Sequence, residues 1–456
     1  MTEHKNIQVR NYILSLLESG AVDGECKLPG ALELAGRLNI SLLTVQNALA
    51  TLANEGVLKI IPRQGTFVDQ NWRERILQTN IGFYVPCNSL PWGAFFAERI
   101  RSRFPQLHIS SEMRNAVFEI RPTLDVQMNH KQYLDLAPLF ESCFPDRSCF
   151  FESPLNAFYY GKQLVGLPFL FSPRVMFVNT ALLRKAGCPM PEDGWQWDDF
   201  IAGIRILRRH YPASAIFAWN TSYYLWMNII LRAGGGLIDP SNADPVRIDS
   251  EKTRLGLRLF RELRHELFGE GGQKSPEPFA FEHGKLAFMV DARQAVGRLQ
   301  RIGMKDWTVV SLPHIPGGRD VSMQATELLC VRRECVSLST VEQLMRFLLS
   351  EEFQNHLADL EYSVPIRRSS AFRSLSSATP GNALFLRETE SMCSQYHLDS
   401  AELAGLVIRG ISGLLSSEDD IDAATAELAG LVRSYFNIHK RIVQYGASPE
   451  FTGKLT

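Results

Sequence analysis

The sequence predicts an α/β chain in two parts: a helix-turn-helix with a β-hairpin wing over residues 1–70, and a larger body of alternating strands and helices over residues 80–456. Three observations predict it. A chain of 456 residues exceeds the length at which one hydrophobic core usually stops growing, so two or more domains are expected. The stretch "LNISLLTVQNALATLANEGVLKIIPRQGTFV", Leu38 to Val68, has the spacing of one helix running into a short hairpin. From Ile81 onward, apolar strand-like runs alternate with amphipathic helical ones, the pattern of a parallel sheet with covering helices.

In order along the chain, "VRNYILSLLESG" puts Val9, Tyr12, Ile13, Leu16 and Leu17 at helical spacing, with Gly20 as the stop. "ALELAGRLNI" presents Leu34, Ala35 and Leu38 on one face, and Ser41 is placed to cap the helix that follows. Two helices joined by a short turn read as helix-turn-helix. "VLKIIPRQGTFV" alternates about a Pro-Arg-Gln-Gly tip, which suits a two-stranded wing. Residues 71–79 are polar and read as a linker. After them "IGFYVP" is an apolar strand, "WGAFFAERIRSRF" an amphipathic helix and "QLHISSEM" a second strand. Gly234 to Gly236 form a turn rather than a phosphate loop, because no helix N-terminus follows directly.

Composition narrows the function. With 45% hydrophobic residues, 21% charged residues and a formal net charge of −1, the chain is an ordinary globular protein. Its polar start lacks the apolar run of a signal peptide, and no stretch is long and apolar enough for a membrane span. A cytoplasmic location and no membrane partner are therefore expected. The eight cysteines have no CxxC pairing or histidine neighbours of metal-ligand type, so reduced structural thiols and no metal are expected. No GxSxG, HExxH or GxxxxGK[ST] occurs, and His283 and His314 read as loop residues. No catalytic residues, no cofactor and no enzymatic activity are expected.

The matching residues "SG" (19 and 20), "LP" (28 and 29), "ELA" (33 to 35), "S..TV..AL..L...G" from Ser41 to Gly56 and "GTFV" (65 to 68) make residues 1–70 resemble the winged helix-turn-helix of GntR-family bacterial transcription regulators. The resemblance implies operator DNA as a partner, read by a homodimer, with Ser41, Thr44, Gln46 and Asn47 on the recognition helix and Arg63 and Gly65 on the wing as contacts. Gln and Asn suit adenine in the major groove, and hydroxyls suit phosphates. The sequence departs from the family where DNA-contacting arginines are usual: Leu32, Leu42 and Gln46 stand there. Residues 1–70 also carry only six Lys and Arg against seven Asp and Glu, so a shallow salt dependence is expected.

A second resemblance covers about Asn80 to His439. "YLDLAPLF", "YYGKQLVGLPFLFSPRVMFVNTALLRKAG", "WQWDDF", "LRAGGGLID", "FEHGKLAFMVDA", "WTVVSLPHIPGG" and "YSVPIRRS" occur in this order, as they do in family 1 extracellular solute-binding proteins, which are similar to maltose-binding protein. That implies a two-lobed periplasmic-binding-protein-like (type 2) α/β domain holding a small-molecule effector, most naturally a carbohydrate, in a cleft between lobes. By position in the pattern, the ligand contacts are Asn88, Ser89, Trp92, Ser172, Arg174, Trp219, Asn220, Tyr223, Tyr224 and Arg293. Flat aromatic rings for sugar C–H faces beside polar groups for hydroxyls are what such a ligand needs. Trp197, Trp226 and Trp307 read as core. Here too there are departures: the chain is short between "LHISSEM" and "LDLAPLF", and Ser172 stands where some sugar binders carry a glutamate.

Joined behind a DNA-reading head, such a body reads as the sensor of a ligand-responsive transcriptional regulator, since ligand biases a two-state closure. Three alternatives stay open. One is a solute- or protein-binding module whose head has lost DNA binding and serves dimerisation. Another is an effector domain of LacI type. The third is an aminotransferase-like body, although neither Lys185 nor Lys285 has the phosphate-cradling setting of a Schiff-base lysine.

Overall fold

The computed structural model describes residues 2–446 except 55, 73–80, 87–91, 105–106, 111–115, 221, 270–275, 336, 376–380 and 394–395. The chain divides into two compact units, residues 1–120 with 330–344 and residues 121–329 with 345–456.

The first unit begins with helices α1 (Thr2–Glu18), α2 (Ala31–Leu38) and α3 (Leu42–Asn54) and the hairpin β1 (Leu58–Ile61) and β2 (Gly65–Val68). Val9, Ile13 and Leu17 of α1, Leu34 of α2 and Val45, Leu49 and Leu52 of α3 all fall in one buried cluster, as the helical spacing predicts. Asn39 closes α2 in the left-handed conformation, which gives the sharp turn before α3. The antiparallel hairpin pairs Leu58 with Val68 through to Ile61 with Gly65, and Arg63 sits at its tip with φ +63°. Trp72, which falls in the expected linker, belongs to this core: it is buried beside the cluster and its Nε1 donates to Asp23 Oδ1 at 2.9 Å.

The same unit continues with β3 (Ile81–Tyr84), α4 (Gly93–Arg103), β4 (Leu107–Ser110) and β5 (Ala116–Pro122). β3 pairs in parallel with both β4 and β5, so the strand-helix-strand reading of this region holds. Glu119 of β5 is fully buried, and Arg332 Nε donates to it at 2.7 Å.

In the second unit the elements that matter are α5 (Thr123–Asn129), β6 (Leu167–Pro173), β7 (Val175–Asn179), α6 (Trp197–Arg208), α7 (Tyr223–Arg232), α8 (Glu251–Phe268), β8 (Phe288–Asp291), β9 (Trp307–Val310), β10 (Ser322–Val331), β11 (Val364–Pro365), α9 (Ala401–Ser416) and α10 (Ile421–Gly446). β7 is the centre of a three-stranded antiparallel sheet between β8 and β9. β6 runs antiparallel to β10 on one side and β11 on the other. "LPFLFSP" and "VMFVN" are buried at every position, which explains their continuous rather than alternating apolar pattern. One residue, Arg174, separates β6 from β7.

The core of this unit gathers Trp197, Trp219, Trp226, Phe260, Leu263 and the inner faces of α9 and α10. Trp197, Trp226 and Trp307 are 3%, 0% and 6% exposed, in the core as the sequence predicts. Gly256 lets α8 approach α7 closely, since a Cβ there would stand 2.6 Å from the Ile230 Cα. Among the described residues no helix is long and apolar enough to cross a membrane.

Candidate nucleic-acid interface and ligand site

The front of α3 is built by a cap. Ser41 Oγ accepts the Thr44 N–H at 3.3 Å and bonds Thr44 Oγ1 at 2.7 Å, satisfying an N-terminal donor of the helix. Thr44 is 5% exposed. Two of the four expected helix contacts are therefore engaged in holding α3, while Gln46 and Asn47 are exposed. Leu42 and Leu43 are exposed beside them at 39% and 67%, and Leu32 at the front of α2 at 75%.

The wing adds cations that sequence reasoning passed over. Lys59 faces Phe67 across the hairpin, and Lys27 bridges Phe67 from its other side, so the three residues lie in one row. Directly opposed antiparallel residues share a face, and the Lys27 ammonium lies 6.0 Å from the Phe67 ring centre. Lys27, Lys59 and Arg63 are all exposed. Gly65 has φ +120°, and a Cβ there would come within 2.8 Å of Lys27 Cε, so glycine both permits the turn and leaves room for the lysine. Arg37, by contrast, is paired with Glu33 at 2.6 Å.

In the second unit a polar cluster forms around Arg174. Its guanidinium lies over the Tyr224 ring, 4.4 Å from the centre. The Arg174 Nε is buried and has no hydrogen-bond partner among the described residues. Tyr223 and Tyr224 open α7 and meet edge to face at 6.2 Å. Asn220 Nδ2 donates to the Tyr224 hydroxyl at 3.3 Å, while its Oδ1 accepts the Ser222 N–H at 2.9 Å. Burial raises the Tyr223 phenol, which the Arg174 charge partly opposes and the Asp125 charge reinforces. Glu327 of β10 belongs to the same neighbourhood. Burial pushes its carboxyl up to about 7, against the lowering effects of the Tyr362 hydroxyl and Arg174. Tyr362 donates to Glu327 Oε1 at 3.4 Å. Tyr396 is buried nearby, its hydroxyl donating toward the Gln324 and Cys393 carbonyls.

The other expected ligand contacts lie elsewhere. Trp219 is 2% exposed and packs on Phe260 at 4.4 Å between ring centres, so its ring serves the core rather than a cleft. Trp92 is 1% exposed and packs edge to face on Phe96. Ser172 is fully buried, and its Oγ accepts the Arg293 N–H at 2.9 Å. Arg293 is itself fully buried: its guanidinium donates to the Ser363 and Ser374 carbonyls and to Asn382 Oδ1. Burial lowers it to about 10. It stitches three segments together instead of facing an opening. Asn88 and Ser89 lie outside the described residues. Arg174, Asn220, Tyr223 and Tyr224 are thus brought together, joined by Asp125, Glu327, Tyr362 and Tyr396, which sequence reasoning missed.

An open hollow of about 600 Å³, walled by Phe279, Glu282, His283, Arg298, Arg301 and Ile302, shares no residue with this cluster. Lys285 pairs with Glu277 at 3.2 Å on an exposed surface. Among the described residues no group of three or more His, Cys, Asp or Glu is placed to hold a metal ion.

Comparison with known proteins agrees with both halves. The family model described as bacterial extracellular solute-binding protein matches residues 126–355, half of the chain, and that of bacterial regulatory proteins, gntR family, matches residues 6–68. The HTH-type transcriptional repressor NagR of Bacillus subtilis (strain 168) is 34% identical over 71 residues, 16% of this chain and 29% of that protein. The match thus spans under a third of that relative's length. Among solved structures, maltose-bound MalE3 of T. maritima superposes with a TM-score of 0.65 at 15% identity, over 78% of this chain and 100% of that one. The GacH receptor of Streptomyces glaucescens GLA.O, solved unliganded and with acarbose, gives 0.64 at 16% identity over 78% and 98%. UgpB of Mycobacterium tuberculosis, in complex with glycerophosphocholine, gives 0.65 at 14% identity over 79% and 99%. The chain belongs to the bacterial extracellular solute-binding protein family, with that family's two-lobed α/β fold, and carries in residues 6–68 a winged helix-turn-helix of the gntR type.

Proposed function

We propose that the chain is a ligand-responsive transcriptional regulator: residues 1–70 bind operator DNA as part of a homodimer, and residues 80–456 hold a small hydroxyl-rich solute, a carbohydrate, whose binding changes affinity for DNA. The observation that carries the ligand half is the Arg174 cluster. A guanidinium stacked on Tyr224 with its Nε buried and unbonded among the described residues is costly to keep without a partner. A ligand oxygen accepting from that Nε would remove the cost, and Tyr223 and Tyr224 supply the flat faces that sugar rings stack on. Maltose and acarbose in relatives of the same fold support carbohydrate as the class. The DNA half is supported by Gln46 and Asn47 exposed on α3 and by the cations of the wing. A protein that works on chromosomal DNA acts in the cytoplasm.

The experiment is a DNA titration of the full chain with and without maltose, maltotriose and a panel of other sugars, read beside a thermal-shift screen. A ligand that binds only the folded chain raises its apparent stability. The coupling expected between the two sites is of order 1 to 3 kcal/mol, and it must be reciprocal. Tyr224→Ala should abolish the sugar response while leaving DNA affinity in the absence of sugar unchanged. A panel that produces neither a thermal shift nor a change in DNA affinity would remove the ligand half of the proposal.

A further inference from the structure

The exposed apolar side chains at the front of the head are unusual company for a surface otherwise suited to phosphate. Leu42 and Leu43 occupy the first turn of α3 at 39% and 67% exposure. Gln46 and Asn47 follow one turn later and are also exposed. Residues three and four apart on a helix are neighbours, so the two leucines and the two amides form one continuous face. The opposite face, Val45, Leu49 and Leu52, is buried in the head's core, so the leucines have no place in it. Leu32 adds a third exposed apolar group at the front of α2, at 75%.

The same head carries Lys27, Lys59 and Arg63 exposed on the wing, charges that complement a phosphate backbone. Once α3 enters the major groove, its N-terminal residues meet the base edges. Among the groups displayed there, the C5-methyl of thymine is the apolar one. From these observations we infer that Leu42 and Leu43 are specificity-determining residues that read thymine methyl groups, and that with Gln46 and Asn47 on adenine they select an A·T-rich half-site. Leu32 stands beside the path of the helix and adds apolar contact at its edge. The inference rests on the DNA-binding half of the proposed function and names the sequence class that this half reads.

The test uses the full chain and a random duplex pool. Sequences are enriched at low salt, and the enriched duplex is then resynthesised with deoxyuridine in place of thymidine, which removes the C5-methyl and leaves base pairing intact. Burying one methyl-sized group is worth ~0.8 kcal/mol, so binding should weaken about four-fold for each buried methyl that is removed. The variant carrying both Leu42→Ala and Leu43→Ala should bind the two duplexes equally well. A thermal melt of that variant, expected unchanged because alanine is the better helix former and both leucines are exposed, shows that the head is still folded. If the unaltered chain binds the thymine and uracil duplexes equally, or the double variant keeps the preference, the leucines do not read methyl groups and a protein partner is the better occupant for them. If no duplex is bound at all, the DNA-binding reading itself falls, and this inference falls with it.

Discussion

Replacing Glu327 by Gln should stabilise the solute-binding part of the chain, by an amount that grows as pH rises from about 4.5 to about 7 and then levels off. In the folded chain the Glu327 carboxyl is raised from its ordinary 4.5 to about 7, chiefly by burial. In the unfolded chain it returns to the ordinary value. A carboxyl raised on folding contributes stability that is fully present below about pH 4.5 and is lost as pH rises through about 7. The gap between the two values is worth about 3 kcal/mol, at about 1.4 kcal/mol for each pH unit. At about pH 8 the wild type therefore carries a half-buried charge at a net cost of roughly 3 kcal/mol, the lowering effects of Arg174 and Tyr362 included. Glutamine keeps the oxygen that accepts from Tyr362 and has no charge to desolvate. Urea denaturation of Glu327→Gln and wild type at about pH 5 and pH 8 should give similar midpoints at the lower pH and a clearly higher midpoint for the variant at the higher one. The reasoning is refuted if the two proteins differ by the same amount at both pH values, or if the variant is the less stable at pH 8.

Other expectations follow from single side chains. Ser41→Ala removes the cap of α3 and should cost the head about 1 kcal/mol in thermal or urea melts. A fragment of residues 1–72 should melt higher than one of residues 1–70, because Trp72 completes the core and ties Asp23 through its indole; its burial is worth about 2 to 3 kcal/mol. Alanine at Lys27, Lys59 and Arg63 should weaken all duplexes alike and flatten the salt dependence by about 0.9 in slope for each phosphate left without its cation. Arg293→Met leaves the Ser363 and Ser374 carbonyls and Asn382 Oδ1 without their donor and should destabilise by about 3 kcal/mol or more, whereas Arg174→Met should change sugar binding with little loss of stability by denaturation.

What the sequence made legible follows the range over which each signal acts. The head was readable because its elements are specified locally: Ser41 caps its own helix, Asn39 makes its own turn, and the α1 and α3 apolar faces repeat at helical spacing. The parallel pairing of β3 and β4 was readable from the strand-helix-strand order, whereas β5 gave no such signal. The candidate ligand site was only half readable. "WNTSYYLW" presents Trp219, Tyr223 and Tyr224 as one aromatic stretch, yet the chain turns Trp219 inward onto Phe260, a residue distant in sequence that periodicity cannot see. Tyr223 and Tyr224 begin α7 and meet Arg174 instead. Arg293 was expected as a ligand contact from its position in the solute-binding-protein pattern. Its three acceptors come from residues 363, 374 and 382, and nothing near it in sequence announces them. Glu327 did leave a trace, a lone carboxylate inside the apolar strand "ATELLCV", and a charge within such a run is a sign of a special site.

Arg174 is the single residue between β6 and β7, strands of two different sheets, and it is also the side chain laid over Tyr224. A contact residue carried on a long loop can be exchanged freely, because the loop absorbs the change. A bridge one residue long has no slack. An exchange at position 174 for glycine, proline or a β-branched residue alters the dihedral preferences of the joint between the sheets together with the chemistry offered to the proposed ligand. If the cluster holds the proposed ligand, divergence toward a new ligand class is therefore easier through Tyr223, Tyr224 and Asn220, which belong to α7 or lead into it, and hardest through the arginine at the joint.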